Sequence, residues 1–342
     1  MTNSPATISP DAGSPGPAPE AEAEPTRARS ALALVLGALP WLVAAGLVGA
    51  AGYLGGYLAT IVAFALIYAV FVTGLNIFMG FTAQVSFGHN AFAAIGGYTS
   101  AVLTTTYEWP PLAAFAAGLA GSLALAGLIG WPTLRLKGHY LSMGTLAIGL
   151  IVYEIAVQWE SVTQGYLGIS GIPSLGIGRF EATGDRQILA VLTATVLLGA
   201  FVVARMRRSR FGRALAAVAG SEEAARALGI DVARYKLASF LLSAGFASLA
   251  GSLFVHVVGY VSPEVFGLHM VILAFTMLYV GGLGTVVGPI IGALVISLLP
   301  ETFRGFRDYQ DLGYGAALIL LLIYAPRGMA GLIDLAAGRK AS

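Results

Sequence analysis

The side chains able to do acid–base, nucleophilic or metal chemistry are few, and they are not arranged for it. The chain has no cysteine, which excludes disulfides, thiolate metal sites and cysteine nucleophiles. His89, His139, His256 and His269 show no metal-ligand spacing, and no His-Glu-x-x-His stretch occurs. A phosphate-cradling loop needs Gly-Lys-Ser/Thr, but Lys137, Lys236 and Lys340 follow Leu136, Tyr235 and Arg339. The chain therefore does not bind ATP through that motif. No catalytic site, metal or cofactor is expected, and the function sought is not an enzymatic one.

What remains is a different kind of chemistry, that of polar groups placed among apolar ones. The 342 residues are 57% hydrophobic and only 11% charged, with mean hydropathy +0.81. Soluble domains carry about 25% charged residues. Apolar runs of about 20 residues recur, enough to cross a hydrocarbon core of roughly 30 Å. The fold class expected is an all-α polytopic membrane protein with about ten transmembrane helices (eight to ten). The spans are placed at 31–50, 53–75, 91–106, 112–131, 139–158, 187–204, 236–258, 268–281, 284–300 and 312–326. With both termini cytoplasmic, only Arg179, Arg186, Arg304 and Arg307 of the 19 Lys and Arg fall outside, in keeping with the positive-inside rule. Residues 1–30, rich in Pro, Ala, Ser and Glu, read as a disordered cytoplasmic tail. The membrane domain runs over 31–330, and 331–342 form a cytoplasmic C-terminal tail.

Ionisable residues inside a membrane are costly and are usually functional. Glu154 is the one carboxylate well within an apolar segment. It lines a substrate or gating path, sits partly hydrated near the outer interface, or bonds within the bundle. His256 reads as a structural histidine or a relay. Asn76 and Gln84 suit interhelical hydrogen bonds as well as ligand contacts.

Two places break the hydropathic pattern. Gly80–Asn90 holds Gln84, Ser86, Gly88 and His89 where hydropathy stays high, and Leu278–Thr285 joins two short apolar segments through Gly281, Gly282, Gly284 and Thr285. Short, Gly-interrupted segments in both halves of a transporter point to its translocation path. Each stretch also reads as an ordinary polar turn. The longest external loop, 159–187, is rich in glycine and reads as a docking surface or a flexible connector.

The longest polar interval, 205–236, carries Arg205, Arg207, Arg208, Arg210, Arg213, Arg226, Arg234 and Lys236. The alanines of 214–228 suit a helix that settles closely into a partner's groove. Ser221 can cap it, Glu222 and Glu223 complement its dipole, and Gly229 can end it in a left-handed conformation. Transport machinery without an evident energy source points to an external motor gripping this loop. Contact with anionic lipid accounts for a basic loop equally well.

Glu223-Ala224-Ala225, followed after three residues by Gly229, resembles the loop through which bacterial ABC importer permeases dock on their ATPases. Gly74-Leu75-Asn76 and Gly80-Phe81-Thr82-Ala83-Gln84-Val85-Ser86-Phe87-Gly88-His89-Asn90-Ala91-Phe92 look like the signature of the branched-chain amino-acid permease subunits. Leu134–Tyr140, Thr145-Leu146, Arg213-Ala214 and Gly281–Thr285 with Gly288-Pro289 extend the resemblance over about 60–330, closest to the larger of the two permease partners. Ala83 and Asn90 depart from the pattern, and urea and short-amide importers share it. The resemblance implies a second permease, two ATPases, a periplasmic or lipid-anchored binding protein, a bacterial inner membrane, and alternating access driven by the ATPases. A coupling role then falls on Glu222, Glu223, Ala224, Ala225 and Gly229. A secondary carrier or channel, or a membrane scaffold, are the rivals from other classes.

Overall fold

This computed structural model describes residues 41–136, 138–177 and 180–302, with isolated positions at 315, 319, 323, 328 and 329. The tails at 1–30 and 331–342 lie outside the described residues, as does nearly all of the expected span 312–326. The helices are α1 (Trp41–Leu54), α2 (Gly56–Thr82), α3 (His89–Thr105), α4 (Pro111–Thr133), α5 (His139–Gln158), the short α6 (Glu160–Thr163), α7 (Asp185–Arg208), α8 (Arg210–Gly220), α9 (Glu222–Ala227), α10 (Val232–Val258), α11 (Leu268–Gly281) and α12 (Gly288–Thr302). Helices α2, α4, α5, α7 and α10 are each long and apolar enough to cross a membrane, and α1, α11 and α12 are apolar but shorter. The chain is thus an all-α membrane protein. Each expected span from 53–75 to 284–300 falls on one of these helices.

The bundle is built around α2 and α10. Helix α2 is buried along most of its length between Ala59 and Thr82 and takes the centre. Helices α3 and α10 cross closely on small residues: a side chain at Gly96 would collide with Ser248, and one at Gly251 with the carbonyl of Ala93. Close backbone approach of this kind is how helices associate where lipid removes the hydrophobic drive. Ser252 Oγ donates to Gly96 O at 3.0 Å, and Ser122 Oγ on α4 donates to Phe92 O at 3.0 Å. Helices α4 and α5 are peripheral.

The two ends of the bundle are told apart by their contacts. At one end Asp185 Oδ2 accepts from Gly56 N at 2.8 Å, and Arg186 Nε donates to Gly52 O at 2.8 Å, tying the start of α7 to the α1–α2 turn. The segment 159–184 is ordered here where described. Its strand β1 (Ile169–Ser170) pairs antiparallel with β4 (Tyr260–Val261), and β2 (Gly176–Ile177) with β3 (Phe180–Glu181). A flexible connector is therefore the wrong reading of this loop, because backbone pairing with the far end of α10 holds it down.

His256 completes that anchorage. It is buried, its Nε2 lies 2.8 Å from Ser100 Oγ, and its Nδ1 lies 2.7 Å from Pro173 O. Both ring nitrogens are used structurally. His256→Ala removes both bonds and should destabilise the detergent-solubilised protein by about 1–3 kcal/mol, read as a lowered unfolding midpoint.

Candidate functional site

The first break is made locally. Ala83 takes a left-handed conformation (φ 54) and ends α2, and α3 restarts after Gly88. The freed backbone of 83–88 is held mainly by α5: Thr145 Oγ1 accepts from Phe87 N at 3.0 Å, and Ser142 Oγ donates to Val85 O at 3.3 Å. A side chain at Gly88 would collide with the carbonyl of Thr145. The end of this break that runs into α3 lies inside the bundle. Ser86, Gly88, His89 and Asn90 are all buried, and His89 meets Ser243, roughly 16 Å along α10 at 1.5 Å per residue. Asn90 Nδ2 donates to Phe266 O at 2.8 Å. The break thus runs from an exposed start at Ala83, through half-buried Gln84, Val85 and Phe87, to a covered end at Gly88–Asn90.

His89 is 1% exposed. Its Nε2 lies 2.5 Å from Ser243 Oγ, which donates to Gly74 O at 2.5 Å. Ser243 spends its one proton on that carbonyl, so it accepts from His89 Nε2–H. A neutral ring then accepts at Nδ1 from Ser86 Oγ, 3.0 Å away. The network thus assigns the tautomer. Phe78, Phe92 and Phe240 pack around the ring with centroids 6.0, 5.9 and 5.8 Å away.

The second break is a turn between α11 and α12, with Leu283 exposed at its tip and Gly281 and Gly282 buried at its base. Asn76, fully buried on α2, spans it. Nδ2 donates to Thr285 O at 2.7 Å and Oδ1 accepts from Gly284 N at 2.8 Å. A side chain at Gly80 would strike Asn76 Oδ1 and the Gly284 backbone. Thr285 Oγ1 caps the next helix by accepting from Gly288 N at 3.0 Å. The two Gly-rich stretches are thus joined through one face of α2.

The basic loop folds into two helices that meet at Ser221. Ser221 is extended (φ −162), so the alanine-rich stretch 214–228 is shared between α8 and α9. Ser221 Oγ accepts from Ala224 N at 3.3 Å, which caps α9 as its type suggests. At the other end Gly229 (φ 82) gives Gly229 N→Arg226 O at 3.0 Å and Ile230 N→Ala225 O at 3.0 Å. This paired closure is a Schellman end, and Ile230 packs on the Val218–Ala225–Val232 cluster as such an end requires. Ala225 therefore faces inward, while Glu223, Ala224, Ala227, Leu228 and Gly229 are exposed, Leu228 by 79%.

Glu222 turns the other way. Its Oε1 takes Lys236 Nζ at 2.8 Å and Gln84 Nε2 at 3.2 Å, and its Oε2 takes Arg226 Nη2 at 2.9 Å. Lys236 is 2% exposed. The loop and the first break are therefore in direct contact. Lys236 is the residue that sequence reasoning missed. Its only signal was a lysine in the first turn of a span, and its partner lies 14 positions away across a loop.

Glu154 stands apart from these clusters. It is exposed on α5 and accepts from Gln158 Nε2 one turn on. It does not bond within the bundle, because α5 is peripheral and turns this face away from its neighbours.

The family model described as "Branched-chain amino acid transport system / permease component" matches residues 57–325. The chain is 34% identical over 292 residues to the high-affinity branched-chain amino acid transport system permease protein LivM of Escherichia coli, covering 77% of this chain and 68% of that one. To the LivH permease protein of the same system in E. coli it is 27% identical, covering 77% and 91%. The autoinducer 2 import system permease protein LsrC of Salmonella paratyphi B is 25% identical, covering 66% and 65%. No solved structure gives a significant match.

Proposed function

The chain belongs to the branched-chain amino acid transport permease family, and from that premise we propose that it is one of two permease subunits of an ATP-driven importer for leucine, isoleucine, valine or related small amino acids. In this reading ATP is hydrolysed by separate ATPase subunits. A substrate-binding protein delivers cargo from outside. Higher identity to LivM than to LivH favours the LivM-like place in the pair. The match to LsrC keeps a different small polar cargo as the second reading, and urea or an amide belongs with it.

The observation that carries the proposal is the form of 221–230. A short helix, capped at both ends by its own sequence, presents Glu223, Ala224, Ala227 and Leu228 outward while Ala225 and Ile230 seat it on α8 and α10. An exposed leucine on a polar loop suits an apolar groove on a partner better than lipid headgroups. The loop lies at the cytoplasmic end, with ten crossings and both termini inside. ATP binding draws the ATPases together and moves this helix, so that the bundle opens outward; release of ADP and phosphate resets it.

Gly229→Pro removes the Gly229 N–H and forces φ away from the left-handed region. Glu223→Lys reverses charge on the exposed face. Both variants should insert normally but lose ATPase copurification. Undiminished copurification with both would overturn the assignment.

A further inference from the structure

A buried lysine is costly unless paired, and this fold places one at the junction of three elements. Lys236 lies one turn into α10, Glu222 begins α9, and Gln84 lies in the break between α2 and α3. One carboxylate oxygen, Glu222 Oε1, takes both Lys236 Nζ at 2.8 Å and Gln84 Nε2 at 3.2 Å. Arg226 Nη2 occupies the other oxygen at 2.9 Å and, one turn along the same helix, keeps the carboxylate aimed inward.

We propose that Glu222, Lys236 and Gln84 form the latch that transmits movement of the coupling helix α9 to the 83–88 break, with Lys236 as its positioning residue. This rests on the ATPase-docking reading above. The apolar seat of α9 is small, Ala225 with Val218, Val232, Ala217 and Ile230. A displacement of α9 therefore loads the carboxylate first. Lys236 passes that load to α10, whose Ser243 reaches His89. Gln84 passes it to backbone that Thr145 and Ser142 hold from the opposite side. The break thus lies between an anchor on α5 and a handle on α9, the arrangement expected of an inner gate. Gln84 is the softer end of the latch, since its hydrogen bond to Glu222, at 3.2 Å, is longer than the ion pair at 2.8 Å.

A purely structural pair and a latch predict different results. Single neutral substitutions strand a buried charge, so the test uses Glu222→Gln together with Lys236→Met, and separately Gln84→Leu, which leaves the ion pair intact. Each is assembled with the second permease and the ATPases and reconstituted with the binding protein. The latch predicts that both proteins assemble with the ATPases, and that Gln84→Leu keeps the basal ATP hydrolysis and the unfolding midpoint of wild type. For Gln84→Leu, the variant outside the docking helix and the one on which the basal rate is read, it also predicts that uptake and substrate-stimulated hydrolysis fall about tenfold, within the usual range of coupling between sites. Wild-type uptake by the Gln84→Leu protein overturns the latch. So does loss of assembly in the double variant, which would make the pair a scaffold. Failure of the wild-type chain to bind ATPases would instead sink the docking reading itself.

Discussion

Replacing Asn76 by leucine should remove most of the folded protein, although leucine is close to asparagine in size and more at home in a membrane. Asn76 is fully buried and uses both ends of its amide on backbone, donating to Thr285 O and accepting from Gly284 N. Leucine leaves that donor and that acceptor without partners. Each unmet buried group costs about 1–3 kcal/mol, so the pair costs roughly 2–6 kcal/mol, large beside a net stability of roughly 5–15 kcal/mol for a folded domain. The turn between α11 and α12 has no substitute ready. Gly80 lies against Asn76 Oδ1 and Gly284, and the approach is too tight for a compensating side chain. Thr285→Ser is the control. Asn76 meets the carbonyl of Thr285, and a serine hydroxyl still reaches Gly288 N, so this variant should unfold at the wild-type temperature. Yield of monodisperse protein and thermal unfolding in detergent distinguish the two.

His89→Ala should be nearly as severe. The ring fills the space between Phe78, Phe92 and Phe240 and joins Ser86 to Ser243. Truncating a core aromatic costs about 3–5 kcal/mol, and the Ser86 hydroxyl, fully buried, loses its partner as well. His89→Phe restores volume but not the hydrogen bonds, so it should recover part of the stability and none of the Ser86 satisfaction. The sequence places His89 with Gln84 in one stretch that points to a translocation path, where substitution should impair uptake and spare assembly. The packing separates them. Gln84, half-buried in the break, keeps that expectation, whereas His89 is expected to act first on folding. An unfolding midpoint for His89→Ala within a degree or two of wild type would contradict this, whatever its uptake.

Much of the fold was legible because hydropathy fixes spans and because caps are local. Ser221 and Gly229 did what their types predict within three or four residues, and the Gly-rich stretches fell where helices stop. The depth of the first break was not legible. It depends on Ser243, Thr145 and Phe266, which are distant in sequence, and no periodicity encodes their approach. The helix start at Ser221 was legible from its capping side chain, whereas the separate helix α8 before it was not, because the alanine-rich stretch on either side carries no second cap signal. The pairing of β1 with β4 joins residues from separate loops, so glycine content suggested mobility that backbone pairing removes. Lys236 was invisible as a functional residue because its burial is created by the return of α9 onto α10. Glu154 illustrates the converse, since a carboxylate in an apolar segment says nothing about which face of its helix turns outward.

The most direct measurement is uptake of labelled leucine by liposomes containing this chain with the second permease and the ATPases, the binding protein outside and ATP within. Accumulation that requires ATP, the ATPases and the binding protein together is the predicted result. Accumulation by this chain alone, driven by a proton or sodium gradient without ATPases, would contradict the account.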